Sequence, residues 1–253
     1  MKKILFVVAL LMATVVGFAQ EDHPGVMADR PGMSTGTDVL PFLKVQWETG
    51  FEGGCGDVHS VLLPTTMFRF GVTKFAEIRL EYDGALFQTE NPHKWGYDVC
   101  PLVLGTKVKI FDGYKWVPKI SLMANLAIPL TRAQLHETHV APSLHLLFQN
   151  DVTDWFSVGY DVGAEWNGVN ATPATFLGVC LGFNVTDDLG LFVESYNYFT
   201  KYAMRNTEAE CDLDFGLSYV VHPKVQLDLY AGFNCQNPRT MSFVGLGVAW
   251  MMN

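Results

Sequence analysis

The chain has 253 residues, 49% of them hydrophobic and 13% aromatic, and its 26 acidic against 17 basic side chains leave a formal net charge of −9. An acidic chain carries no electrostatic footprint for nucleic acid, and its 5 widely spaced cysteines form no metal-ligand pattern. No linker, low-complexity tract or composition shift divides it, so one domain follows the N-terminal leader.

The leader comes first. Met1-Lys2-Lys3 is a basic n-region, Ile4 to Val16 is an uncharged apolar core, and Gly17-Phe18-Ala19 supplies the small residues of a signal-peptidase site. Residues 1–19 therefore read as a cleaved signal peptide, with a mature start at Gln20. No later apolar run approaches the roughly 20 residues that a membrane helix needs, so the exported product is soluble or a β-barrel. Residues 20–40 lack strand periodicity. In a barrel this stretch is a candidate lumen plug through Asp29, Arg30 and Pro31, with Arg30 seeking an inward carboxylate; the alternative is a periplasmic tail.

From residue 41 onward the pattern is alternation. Twelve strands are predicted: Phe42–Glu52, Val61–Gly71, Phe75–Gly84, Val99–Phe111, Trp116–Ile128, Thr138–Gln149, Trp155–Trp166, Thr175–Asn184, Leu189–Phe199, Cys211–Val221, Val225–Cys235 and Ser242–Met252. Period two puts one set of side chains on each face of a strand. In Val225–Cys235 one set is Val225, Leu227, Leu229, Ala231 and Phe233, and the other is Gln226, Asp228, Tyr230 and Gly232. Most of these strands have the length of a tilted strand crossing a bilayer, about nine to eleven residues or slightly more. Short turns such as His222-Pro223-Lys224 alternate with longer polar segments such as Ala85 to Asp98, the asymmetry of outer-membrane barrels with periplasmic turns and external loops. Trp116, Trp155 and Trp250 sit at strand ends, where headgroup-level aromatics belong, and Trp47 and Trp166 lie farther along outward sets. The predicted fold is an all-β antiparallel transmembrane barrel of about twelve strands, residues 41–253, in the bacterial outer membrane.

Hairpin geometry adds pairings. About the turn at His222 to Lys224, Phe215 faces Ala231, Leu217 faces Leu229, and Cys211 faces Cys235, which predicts a Cys211–Cys235 disulfide in an oxidising compartment, the alternative being two unpaired thiols at the loop base. Cys55 and Cys100 share the long-loop side and are candidates for a second bridge, and Cys180 is left over. About the turn at Thr73, Arg69 is set against Glu77.

Ala28-Asp29-Arg30-Pro31-Gly32, Gln46-Trp47-Glu48-Thr49-Gly50-Phe51-Glu52 and Asp188-Leu189-Gly190-Leu191-Phe192-Val193-Glu194 resemble motifs of the outer-membrane transporter proteins grouped with the meta-pathway of phenol degradation. The likeness covers nearly all of the mature chain. Ala28 stands where the family has Thr, Gly32 where it has Asp, and Met251-Met252-Asn253 follows Trp250 in place of an aromatic end. The resemblance implies a barrel with a transport role and no defined substrate.

Function then rests on the inner face. Polar parity predicts a lumen lined by Lys44, Glu48, Arg69, Glu77, Arg79, Glu81, Lys107, Lys109, Lys119, His145, Asp161, Glu165, Glu194, Asp212, Asp214 and Asp228. Lysines cluster on one side and acids on the other, so the lumen has a basic wall and an acidic wall. The expected function is passive passage of small hydrophobic or amphipathic solutes; the alternative is a closed structural or ligand-binding barrel. Expected partners are outer-membrane lipid, the barrel-assembly machinery and a small solute, with no nucleic acid, cofactor or metal. An enzyme is not expected: Ser143 and His145 share an inward parity, and Asp161 falls opposite Ser143 in one register, but residues two apart on a strand are about 7 Å apart. His136-Glu137-Thr138-His139 lacks the helical spacing of a zinc protease.

Overall fold

The computed structural model describes residues 25–56, 59–88, 94–130, 139–169, 171–201, 207–237 and 241–252. Residues 1–19, expected to be a signal peptide, and His136, Glu137 and Thr138 lie outside the described residues. Thirteen strands run in chain order: β1 (Val45–Gly56), β2 (Ser60–Gly71), β3 (Ala76–Gln88), β4 (Trp95–Val99), β5 (Leu102–Tyr114), β6 (Val117–Ile128), β7 (Ala141–Thr153), β8 (Phe156–Glu165), β9 (Ala174–Asn184), β10 (Leu189–Lys201), β11 (Thr207–His222), β12 (Val225–Asn234) and β13 (Met241–Met251). Each pairs antiparallel with its neighbours in the order β2-β1-β13-β12-β11-β10-β9-β8-β7-β6-β5-β3-β4, and a β2–β3 pairing closes the sheet on itself. Closure leaves no edge whose backbone groups would face lipid.

Twelve staves make the wall. The expected fourth strand begins at Leu102 instead of Val99, and the stretch Ala85 to Asp98, expected as a loop, carries the end of β3 and most of β4; at the break Pro101 has no N–H to give a ladder, and the Cys100 N–H donates to the Asp83 carbonyl at 2.9 Å. β4 is thus a short extension pairing with the outer end of β3, while β5 continues the stave along the inner end. The first strand starts three residues later than expected, because Leu43 adopts a φ of 63° and its N–H turns to the Gly71 carbonyl.

The wall is inverted relative to a soluble domain. On β12, Leu227 and Leu229 are 45% and 47% exposed, whereas Gln226 and Asp228 are buried. The outward apolar side chains meet lipid and the polar ones fill the interior, which is why alternation reads so cleanly along the chain. Trp116 and Trp155, beside short connections, and Trp250 near the C-terminus are exposed at the rim. Trp166 departs from expectation and lines an inner cavity.

Candidate functional site: the lumen and its N-terminal segment

The described stretch before β1, from residue 25 onward, runs inside the barrel. It enters beside the β11–β12 turn, where the Val26 N–H donates to the Pro223 carbonyl, and rises along β1. Met27 exchanges hydrogen bonds with the Gln46 amide at 3.0 and 2.9 Å. The Asp29 and Arg30 N–H groups donate to Glu48 Oε2 at 3.2 and 3.1 Å. Pro31-Gly32 then turns the chain, with Gly32 at a φ of 100° that a side chain rarely adopts. From there the Ser34 N–H donates to Glu194 on β10 at 2.6 Å, Thr37 reaches Gln149 on β7 at 3.4 Å, and the Leu40 N–H donates to Glu77 on β3 at 2.7 Å. The backbone polar groups of this irregular stretch are satisfied by inward side chains of the staves, the condition under which such backbone is tolerated at membrane depth.

Two adjacent residues of opposite sign divide the lumen. Asp29 faces the basic wall: its carboxylate lies 2.8 Å from Arg79 Nη1, 2.8 Å from Lys107 Nζ and 3.3 Å from Arg69 Nη1. Burial alone would raise its pKa, but Arg69, Lys107 and Arg79 together outweigh that and hold the carboxyl down at about 2. Arg69 is completed by a two-pronged pair with Glu77, both bonds 2.9 Å, and by Glu48 at 3.0 Å.

Arg30 faces the acidic wall. Its Nε and Nη2 donate to the two Asp228 oxygens at 3.2 and 3.3 Å, Nη1 donates to Thr65 Oγ1 at 3.1 Å, and the guanidinium lies 5.7 Å from the Tyr230 ring centre. The notch it occupies is made by Gly50 and Gly247, direct partners across the β1–β13 ladder. A Cβ on either would come within 2.6 and 2.5 Å of the guanidinium. The Asp-Arg-Pro-Gly and Glu-Thr-Gly motifs are therefore two halves of one contact.

The remaining predicted residues fall into three groups, with Glu81 apart. Glu194, Asp212 and Asp214 are buried on β10 and β11, and neither Asp214 oxygen has a hydrogen-bond partner among the described residues. His145 is held at both ring nitrogens, Nδ1 by Asp161 at 3.0 Å and Nε2 by Glu165 at 3.2 Å. Lys109 and Lys119 lie toward the short-turn end, paired with Asp112 at 2.8 Å and Asp151 at 2.9 Å, and Lys44 precedes β1 at that same end. Glu81 contacts Arg79 at 3.3 Å. On the long-loop side of the segment a cavity of about 440 Å³ opens, whose lining includes Arg79, Glu81, Asp83, His145, Glu165 and Phe176.

Three expected pairings are corrected. Cys211 and Cys235 form no disulfide, and none joins Cys55 to Cys100. The Cys235 N–H donates to the Cys211 carbonyl at 2.8 Å, and the two thiols lie side by side without a bond between the sulfurs. Arg69 sits directly opposite Arg79, because the β2–β3 turn extends to Ala76; its bond to Glu77 is a diagonal one. Ser143 faces Glu165, and Asp161 faces Leu147, because β7 runs on to Thr153 before turning. Asp161 is thereby carried to His145 and away from Ser143, whose hydroxyl accepts from Asn125 Nδ2 at 3.3 Å. Among the described residues no group of three or more His, Cys, Asp or Glu is arranged to hold a metal ion.

Sequence reasoning missed the apolar and aromatic part of the interior. Phe176, Tyr196 and Met123 are buried inside, with Phe176 5.3 Å from the His145 ring and 5.2 Å from Tyr198. Their inward parity was readable, but an apolar residue at an inward position breaks the alternation and gives no positive signal.

Solved structures share this architecture. An outer membrane channel from Pseudomonas putida F1 is similar with a TM-score of 0.68 at 10% identity, over 85% of this chain and 98% of that one. The NanC porin follows at 0.56 and 9%, over 80% and 98%, and the KdgM porin at 0.54 and 11%, over 81% and 99%. At such identities the likeness is one of fold. No curated protein sequence matches. The family model described as "Putative MetA-pathway of phenol degradation" matches residues 28–252, from the Asp29-Arg30 turn through the last stave, and the chain belongs to that family.

Proposed function

We propose that the protein is a passive outer-membrane channel for small hydrophobic or amphipathic solutes, exported by way of its signal peptide and inserted by the barrel-assembly machinery, and that residues 20–40 close its lumen. The observation that carries this reading is that Asp29 is held by cations of β2, β3 and β5 while Arg30 is held by Asp228 on β12 and Thr65 on β2. A closed structural barrel has no need of a chain segment threaded through its centre on ion pairs. A channel does, because ionic contacts release in one step when the segment leaves. The inward residues Glu48, Arg69, Glu77, Arg79, Lys107 and Asp228, which now hold the segment, would then line the path.

In this reading the transverse field of the lumen has two uses. It aligns the Asp29-Arg30 dipeptide when the segment is seated, and it orients dipolar solutes when the segment is out. Solute flux into liposomes tests it, with small sugars, ions and aromatic acids as probes. The comparison is between the mature chain and a variant lacking residues 20–40, both checked for the heat-sensitive gel mobility of a folded barrel. The expected result is slow flux through the mature chain and fast flux through the truncated one. Equal flux through both would remove the plug from the proposal, and no flux through either would make the molecule a closed barrel.

A further inference from the structure

The cavity on the long-loop side of the segment has two unlike walls. β2 and β3 carry Met67, Glu81 and Asp83, and β9 and β10 carry Phe176 and Tyr198. In the closed order of the staves these pairs of strands stand diametrically across the barrel from each other. Trp166, just past β8, extends the aromatic side, and Glu165 places a carboxylate next to it.

The charges of this cavity do not cancel. Its two guanidinium groups are already engaged, Arg30 by Asp228 and Arg79 by Asp29 at 2.8 Å. Among the described residues Glu81 pairs with Arg79 at 3.3 Å and Glu165 with His145 at 3.2 Å; both side chains remain 32% exposed. Asp83 accepts one backbone N–H, from Thr66 at 2.9 Å. Carboxylates with spare acceptor capacity thus face a low-dielectric space that also offers aromatic rings. Ring faces attract cations, and a charged cleft focuses its field on the solute inside it.

We propose that this cavity is a binding vestibule for organic ammonium solutes with a planar apolar body, and that it prefers them to carboxylates of the same shape. The ammonium would sit toward Glu81 and Asp83, with Glu165 adding to the negative field from the other side, and the apolar body against Phe176, Tyr198 and Trp166. This rests on the channel reading for its physiological meaning, since it names what enters, but binding is measurable without flux.

The test is calorimetric titration of the mature protein in nanodiscs of zwitterionic lipid with three probes: 2-phenylethylammonium, 2-phenylethanol and 3-phenylpropionate. At low salt the ammonium is expected to bind about tenfold more tightly than the carboxylate, with the alcohol between them. Raising the salt should narrow the gap, as screening requires. The double variant Glu81→Gln and Glu165→Gln, which keeps side-chain shape, should reduce the preference to about threefold or less. The salt series on the unmodified protein decides the matter if that variant fails to fold. Equal or tighter binding of the carboxylate, three indistinguishable probes, or no binding of the ammonium would each overturn the vestibule. Ammonium binding without flux in either liposome sample would instead overturn the channel and leave the vestibule standing.

Discussion

The basic wall and the acidic wall are built from the same kind of alternating strand, yet their charges are settled differently. Arg69, Arg79 and Lys107 on β2, β3 and β5 are buried, and each is paired through Asp29 as well as through Glu77, Glu48 or Glu81. On β10, β11 and β12 the carboxylates receive less: Asp228 has Arg30, Glu194 has the Ser34 N–H, and Asp214 has no hydrogen-bond partner among the described residues. The N-terminal segment therefore locks on the basic side and only leans on the acidic side. A buried charge is costly unless paired, so the basic wall needs Asp29 more than the acidic wall needs Arg30.

Removing Asp29 is expected to have the largest effect. Asp29→Asn leaves three buried cations short of one carboxylate and should weaken seating of the segment by about 3–5 kcal/mol, read as faster protease cleavage between residues 25 and 44 of the folded barrel. Arg30→Ala should cost less, about 2 kcal/mol, because it removes charge-assisted hydrogen bonds to one carboxylate; the same cleavage assay should show a smaller acceleration. Equal effects of the two substitutions would erase the difference between the walls. Asp214→Asn should run the other way, raising barrel stability by about 1 kcal/mol in denaturant unfolding, since it removes a buried carboxylate with no partner. A loss of stability there would mean that Asp214 has a stabilising partner.

The smallest effect is expected from mild acid. With its carboxyl held at about 2 in the seated state against 3.8 ordinarily, Asp29 contributes seating stability that is fully present above about pH 4. That contribution fades as the pH falls through 4 toward 2. Segment protection from pepsin should accordingly hold at pH 4 and decline by pH 2. Release already at pH 5 to 6 would place the controlling titration elsewhere.

Much of the wall was legible and less of its pairing. The β11–β12 register was readable to the residue, Asp212 with Asn234 and Leu217 with Leu229, because a Pro-centred turn pins the hairpin. The β2–β3 and β7–β8 registers were not, because Val72 to Phe75 and Asp151 to Trp155 mix strand-forming and turn-forming residues and conceal where the chain reverses. The inward polar side chains were visible from parity alone. Their partners were not, since the segment that supplies Asp29 and Arg30 has no period, and nothing in one sequence says that Gly50 and Gly247 form the notch for Arg30. Cys211 and Cys235 show the same limit: the hairpin sum located the pair, but a facing position does not by itself put a bond between the sulfurs.

Closure of the lumen by the segment is tested most directly by conductance in planar bilayers, with the mature protein and Asp29→Asn recorded under the same salt and voltage. The mature protein is expected to stay mostly closed with rare brief openings, and the variant to be open for most of the record. A mature protein that conducts steadily, with Asp29→Asn indistinguishable from it, would contradict the account.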